Sequence, residues 1–159
     1  MQLEATTNLA SFNRIIADPE IWDRIAEDGQ TREEMILPKD WKVIEVTTPK
    51  GLIGIFLLHP VESWEWQIHA NILKRFRHRY AGQAGRGIMK WMAQNLPDEV
   101  RWVRAEIAVI YPDVMKFTKS HGFKDVGEIG PFMKDGREVE TRLLIVAREE
   151  IDKCLLLLQ

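Results

Sequence analysis

The chain has 159 residues, of which 45% are hydrophobic and 29% are charged, a balance that predicts one globular domain with a sizeable core. Its 22 Lys and Arg residues against 24 Asp and Glu residues give a net charge of −2, so the overall charge favours neither nucleic acid nor an anionic membrane as a partner. The single cysteine excludes an internal disulfide and a cysteine-based metal cluster. No apolar run approaches the roughly 20 residues of a membrane helix, and the first ten residues show no secretion signal. We therefore expect a cytoplasmic protein that binds no metal.

The charges are sorted along the chain. Residues 1–40 contain nine acidic and four basic residues, a net charge of −5. Residues 41–90 contain eight basic and three acidic residues, a net charge of +5. A local basic patch is therefore present in the second segment, although the whole chain is nearly neutral.

Two helices are predicted near the N-terminus. The first begins after Thr7 or Asn8 and has apolar residues at helical spacing: Leu9, Phe12, Ile15 and Ile16. The second begins at Asp18 and Pro19, since Asp caps helices and Pro is tolerated at the first helical position, and it ends at Gly29.

Three strands follow. Residues 41–47 and 52–58 flank a turn that contains Pro49 and Gly51, which predicts a hairpin. The third strand, residues 63–73, alternates between an apolar face and a polar face, the latter formed by Glu65, Gln67, His69 and Asn71. Polar groups in a central strand must be paired or must border a cavity, although a solvated strand face is the alternative.

The C-terminal half alternates helices and strands. A basic connection at residues 74–80 leads into a small-residue turn at 81–87 and a helix that ends at Pro97. A strand at 100–110, a helix from Pro112 to Gly122, and two strands near 125–133 and 139–148 follow, the last two joined by Lys134-Asp135-Gly136. This order predicts an α/β fold.

The small-residue turn has the properties of a phosphate-binding device. The first amides of a helix lack internal acceptors and lie at the positive end of the helix dipole, so an anion can bind them where side chains are small. Within it, Arg79-Tyr80-Ala81-Gly82-Gln83-Ala84 resembles the Gln/Arg-x-x-Gly-x-Gly/Ala motif of the GNAT superfamily of acyl-CoA-dependent N-acyltransferases. Gly122-Phe123, followed by Gly127, is similar to that family's Gly-Phe-x-x-x-Gly step.

The resemblance covers residues 41–148 and, more loosely, the two N-terminal helices. It implies one GNAT-like domain over residues 1–159, with a mixed, mostly antiparallel sheet flanked by helices and with splayed fourth and fifth strands. It also implies direct transfer of an acetyl group from acetyl-CoA to an amine. The pantetheine would pair with the strand edge at Ile72, Leu73 and Lys74, and the amides of residues 81–84 would hold the pyrophosphate.

Three residues are candidates for the proton transfers that the resemblance implies. The amine must lose a proton, and His69 could accept it because its ordinary pKa lies near neutrality, with Glu65 as the rival. The family often has a Tyr acid where Thr118 stands here, and a Thr hydroxyl is too weak an acid for that role. Tyr111 or water would then protonate the leaving thiolate.

Other interpretations of these segments stay open. The basic run before Arg79 could contact nucleic acid, with Phe76 and Tyr80 available for stacking, but we expect a CoA phosphate there instead. Because the usual acid is missing, the alternative function is a non-enzymatic GNAT-like binding or assembly module, such as part of a virus or another large complex. The apolar tail at residues 155–158 is either a frayed end or a contact with a second subunit.

Overall fold

The computed structural model describes residues 1–156 and contains seven strands and five α-helices there. In chain order they are β1 (Gln2–Thr6), α1 (Ala10–Ile16), α2 (Pro19–Ile25), β2 (Lys42–Thr48), β3 (Gly51–Glu62), β4 (Glu65–Ile72), α3 (Lys74–Asn95), β5 (Trp102–Ala108), α4 (Pro112–Ser120), β6 (Lys124–Lys134), β7 (Arg137–Ala147) and α5 (Arg148–Leu156). A short 3-10 turn at Arg32–Glu34 precedes β2. None of the described helices is long and apolar enough to cross a membrane.

All seven strands form one sheet in the order β1-β2-β3-β4-β5-β7-β6. Every neighbouring pair is antiparallel except β4 and β5, which run parallel. That parallel pair is joined only at residues 65–67 of β4 and 102–104 of β5, after which the strands separate. The predicted mixed sheet with splayed fourth and fifth strands is thereby confirmed.

Each face of the sheet carries its own hydrophobic core. On one face α3 and α5 cover the sheet, and the fully buried residues include Ile44, Phe56, Met92 and Leu144. On the other face α1 and α2 pack through Phe12, Ile15 and Ile21 against β2 and β3. Residues of β4 alternate between the two cores, so its predicted polar side chains point toward the α1 and α2 face.

Two elements were not predicted from the sequence. Strand β1 pairs with β2, with Gln2 opposite Thr47; its five residues are too few to show a period. Helix α5 begins where we expected the last strand to end, and it buries Ile151 completely.

Residues 155 and 156 of the predicted tail belong to α5, with Leu155 packed on the core, while residues 157 and 158 lie outside the described part. The subunit contact stays a prediction.

Helix α3 corrects the prediction of a small-residue turn at 81–87. It begins at Lys74, directly after β4, and continues without interruption to Asn95. Its glycines serve close packing: a Cβ at Gly85 would overlap the His121 ring, and a Cβ at Gly87 would lie 2.8 Å from a Leu3 methyl carbon. The small residues that suggested a turn let a neighbouring helix and strand approach this one.

Gly82 tests the helical assignment. It is exposed, and an added Cβ would meet only the Arg86 side chain at 3.6 Å. Gly82→Ala should therefore raise the free energy of unfolding by about 0.5–1 kcal/mol, because Ala loses less backbone entropy than Gly in a helix. Urea denaturation measures this change, and a loss of stability would indicate a turn at this position.

Candidate active site

The separation of β4 and β5 opens a cavity of about 810 Å³ between the strands and the surrounding helices. It is lined by β4 and β5 residues beyond the paired section, by the inner face of α3, by α4 and by the end of α2. The buried part of the wall is mostly apolar and includes Phe56, Ile88, Met89, Met92 and Phe123, with Asn71 and Thr118 as its buried polar residues. Its polar side chains include Arg24, His69, Asn71, Arg77, Glu106, Tyr111, Asp113 and Thr118.

The edge of β4 that faces this cavity has free backbone groups. The Leu73 N–H donates to the Ile53 carbonyl on β3 at 2.9 Å. Because successive residues of a strand point their backbone groups to opposite sides, Ile68, Ala70 and Ile72 present theirs toward β5. The Ile72 carbonyl accepts a 2.8 Å bond from Arg77 Nε, so the groups of this edge that are available to a ligand are those of Ile68 and Ala70 and the Ile72 N–H.

The Arg77 guanidinium also joins α3 to α2. Its two terminal nitrogens donate to both carboxylate oxygens of Glu20 at 2.6 Å. Glu20 in turn pairs with Arg24 at 2.6 Å, and Arg24 donates to Asp113 at 2.9 Å. This chain of charges crosses from the end of β4 to the start of α4, and it fixes α2 over the opening.

The N-terminus of α3 lies at the mouth of the opening, immediately after β4. Its N-cap, Leu73, supplies no side-chain hydrogen bond to the first amides. The first turn contains Lys74, Arg75 and Arg77 and no acidic residue, although cations at this end oppose the helix dipole. Uncapped amides, a positive dipole end and basic side chains together suit an anion.

The amides of Ala81, Gly82, Gln83 and Ala84 cannot hold pyrophosphate in the way that the sequence suggested. They lie in the interior of α3, where each amide donates to the carbonyl four residues earlier. Leu73 likewise has its amide bonded to Ile53 and its side chain buried in the core beneath α1. Of the predicted cofactor-binding residues, Ile72 and Ala81 line the cavity.

His69 lines the cavity and belongs to a stack of rings. Its Nε2 lies 3.2 Å from Nε2 of His59, and the Trp41 ring stacks on His59 with centroids 3.9 Å apart. Burial, with a smaller contribution from His59, lowers the pKa of His69 to about 4. His69 is therefore neutral at pH 7, and its low proton affinity makes it a poor acceptor for an ammonium proton.

Glu65 lies outside the opening, contrary to its predicted role as a rival base. Its carboxylate accepts a 2.9 Å bond from Trp102 Nε1 and lies 3.7 Å from Arg104. Both partners belong to the section where β4 and β5 are still joined. Glu65 thus closes the narrow end of the sheet opening.

Glu106, which was not predicted as a site residue, lines the cavity together with two other carboxylates, those of Glu27 and Asp113. It lies two residues after Arg104 on β5 and pairs with that guanidinium. Since Arg104 is opposite Gln67, Glu106 points to the same sheet face as His69. The alternation of β5 was visible in the sequence, but its position opposite β4 depends on the parallel pairing.

Tyr111 is the N-cap of α4 and lines the same cavity. Its hydroxyl donates to the Asp23 carbonyl at 3.3 Å, and the Arg24 guanidinium lies 5.2 Å from the ring centroid. Burial raises the pKa of Tyr111, so the phenol keeps its proton at neutral pH. Thr118 is buried in the cavity wall.

Within residues 1–156, no group of three or more His, Cys, Asp or Glu residues could hold a metal ion.

The mostly antiparallel sheet with one splayed parallel pair is the GNAT fold, the class of architecture that the sequence motifs indicated. No protein-family model and no curated protein sequence matches the chain, but solved structures do.

The spermidine N-acetyltransferase of Vibrio cholerae, in complex with CoA and spermine, superposes with a TM-score of 0.78 at 14% identity, over 94% of this chain and 96% of that chain. An N-acetyltransferase from Staphylococcus aureus Mu50 gives a TM-score of 0.71 at 13% identity, over 93% and 97%. A Streptococcus mutans UA159 protein gives 0.72 at 11% identity, over 93% and 99%. At these identities the likeness establishes the shared fold.

Proposed function

We propose that the protein is an N-acetyltransferase that moves an acetyl group from acetyl-CoA directly to an amine. The observation that carries this proposal is the free β4 edge, which ends at the uncapped, basic N-terminus of α3 in a GNAT fold. A free strand edge suits the extended pantetheine amides of acetyl-CoA, and a basic helix N-terminus suits its pyrophosphate. The V. cholerae enzyme of the same fold binds CoA, which supports the choice of cosubstrate.

The pantetheine amides would pair with the backbone groups of Ile68 and Ala70. Arg77 donates a hydrogen bond to the Ile72 carbonyl, and its guanidinium adds positive charge to the mouth of the cavity. The pyrophosphate would bind the amides and side chains of Lys74 and Arg75 in the first turn of α3, rather than residues 81–84. Contacts from Arg79, Tyr80 and Gln83 to the cofactor stay a prediction that rests on the resemblance.

For the chemistry, the amine nitrogen attacks the thioester carbonyl carbon, a C–N bond forms and the C–S bond breaks. Glu106 is our candidate to attract the ammonium form and to accept its proton, directly or through water, because its carboxylate is exposed and lies on β5 at the opening. Tyr111 would donate its phenolic proton to the departing thiolate. His69 would act by holding the wall in place, since its low pKa leaves it a weak base.

The acceptor is proposed to be a cationic amine. The carboxylate of Glu106 would favour a positively charged acceptor over a neutral one. The V. cholerae structure contains spermine, which makes polyamines the first acceptors to test.

Thiol release from acetyl-CoA in the presence of a panel of amines, with spermidine and spermine included, tests the proposal. We expect turnover with at least one amine, a loss of about 100-fold in kcat/KM for Glu106→Gln and for Tyr111→Phe, and no change for Glu62→Gln, an exposed carboxylate at the end of β3. Acetyl-CoA binding without thiol release for any amine would instead indicate the binding or assembly module.

A further inference from the structure

Helix α3 carries six basic residues and no acidic residue in its 22 positions. Because it is continuous, residues that the sequence placed in a loop, a turn and a helix share one axis. At 100° per residue, Arg75, Arg79, Arg86 and Lys90 fall within an arc of about 60° and extend over about 22 Å. We call these four residues the α3 stripe.

The α3 stripe is free to bind an anion. All four side chains are exposed. Among residues 1–156, the ion pair of α3 is the one between Arg77 and Glu20, and none of the four stripe residues pairs with a carboxylate. Like charges repeated along one helix face repel one another, so this arrangement has a cost that a bound polyanion would offset.

We propose that the α3 stripe is a docking surface for the phosphate backbone of nucleic acid, independent of base sequence. A cofactor at the start of α3 accounts for Arg75 and Arg79 at most, because Arg86 and Lys90 lie about 18 and 24 Å along the axis from Lys74. Three of the four side chains are Arg, whose planar guanidinium binds phosphate in a bidentate manner.

The composition of the surface favours nucleic acid over an acidic protein. Protein interfaces have an apolar or aromatic centre, but no large hydrophobic side chain of α3 is exposed. The residues between the cations on this face are Gly82 and Gln83, both exposed. The stripe offers charge without an apolar anchor, which is what binding to a phosphate backbone requires. The net charge of −2 does not oppose this, because the acidic residues are concentrated before residue 41.

Fluorescence anisotropy with a labelled 20-base-pair DNA duplex, from 50 to 200 mM salt, tests the proposal. Four phosphate contacts predict a slope of log K against log salt of about −3.6, or roughly a 150-fold loss of affinity over that range. Arg86→Gln with Lys90→Gln should reduce the slope to about −1.8 and weaken binding roughly 60-fold at 100 mM salt. As a control, Lys50→Gln with Arg137→Gln removes two positive charges elsewhere on the surface and should change neither the slope nor the affinity.

The proposal is overturned if the wild-type chain does not bind the duplex at 50 mM salt, or if the Arg86 and Lys90 variant keeps the wild-type affinity and slope. Binding to poly-glutamate without binding to the duplex would also overturn it and would assign the stripe to an acidic protein. Circular dichroism shows whether the variants fold. If the double variant does not fold, the single substitutions at Arg86 and at Lys90 are measured instead. Acetyl-CoA binding should be unchanged in these variants, so this outcome is independent of the enzymatic proposal.

Discussion

Acidification from pH 7 to pH 4.5 should remove about 2–3 kcal/mol from the free energy of unfolding through the protonation of His69 in the unfolded chain. Burial in the folded state holds the pKa of His69 at about 4, below its ordinary value of 6.5. In this window the unfolded chain binds the proton and the folded chain does not, so stability is complete above about pH 6.5 and falls as the pH approaches 4. Nearly all of the loss falls between about pH 6.5 and pH 4.5, and about two pH units at roughly 1.36 kcal/mol each set its size.

Urea denaturation at a series of pH values measures this effect. His69→Gln should lower the stability at pH 7, because the Nε2 contact with His59 is lost, and it should flatten the decline between pH 6.5 and 4.5. Burial also lowers the pKa of His59, so a smaller decline should persist in the variant. An equally steep decline in wild type and His69→Gln would contradict the buried, neutral His69.

Gly54→Ala should cost about 3 kcal/mol of folding stability. A Cβ at this position of β3 would lie 2.5 Å from the Asn71 carbonyl oxygen and 2.9 Å from the Ile72 Cα, both backbone atoms of β4. Backbone atoms in a central strand pair cannot move aside as a flexible side chain can, so β3 and β4 would have to separate. The substitution therefore tests the register that positions the cavity-facing edge of β4.

Thermal and urea denaturation of Gly54→Ala should show the loss, and Gly82→Ala is the matched control because it introduces the same methyl group at an open helical site. We expect the free energy of unfolding to fall for Gly54→Ala and to rise for Gly82→Ala. If Gly54→Ala were as stable as wild type, the pairing of Gly54 with Ile72 would be wrong, and with it the geometry of the opening.

Most of the strands could be predicted from local patterns, whereas the arrangement of the sheet and its opening were predicted from the resemblance to the GNAT family. The alternation of β4 placed His69 and Asn71 on one polar face, and two spaced motifs indicated the fold. Helix α3 was misassigned at its start because Gly and Ala are ambiguous: they occur in phosphate-binding turns and also where helices pack closely. Only the contacts of Gly85 with His121 and of Gly87 with Leu3 distinguish the two cases.

The site residues were harder to predict because their roles depend on distant partners. Glu20 and Arg77 are 57 positions apart, and no local pattern links them. Glu65 was predicted as a site residue and Glu106 was not, but the parallel pairing places Glu65 in the joined section and Glu106 at the opening. The pKa of His69 follows from burial and from His59, neither of which the sequence reveals.

Calorimetric titration of acetyl-CoA into the wild-type protein, Ala81→Trp and Gly82→Trp tests the central claim most directly. Ala81 lines the opening and Gly82 is exposed beside it, so an indole at 81 fills the cavity and one at 82 projects into solvent. We predict a Kd on the order of 10 µM for wild type, in the range of ordinary enzyme substrates, a similar value for Gly82→Trp, and binding at least roughly 100-fold weaker for Ala81→Trp, about 2.7 kcal/mol. No heat of binding for wild type at millimolar acetyl-CoA, or equal affinity in all three proteins, would contradict the assignment of the β4 and β5 opening as the acetyl-CoA site.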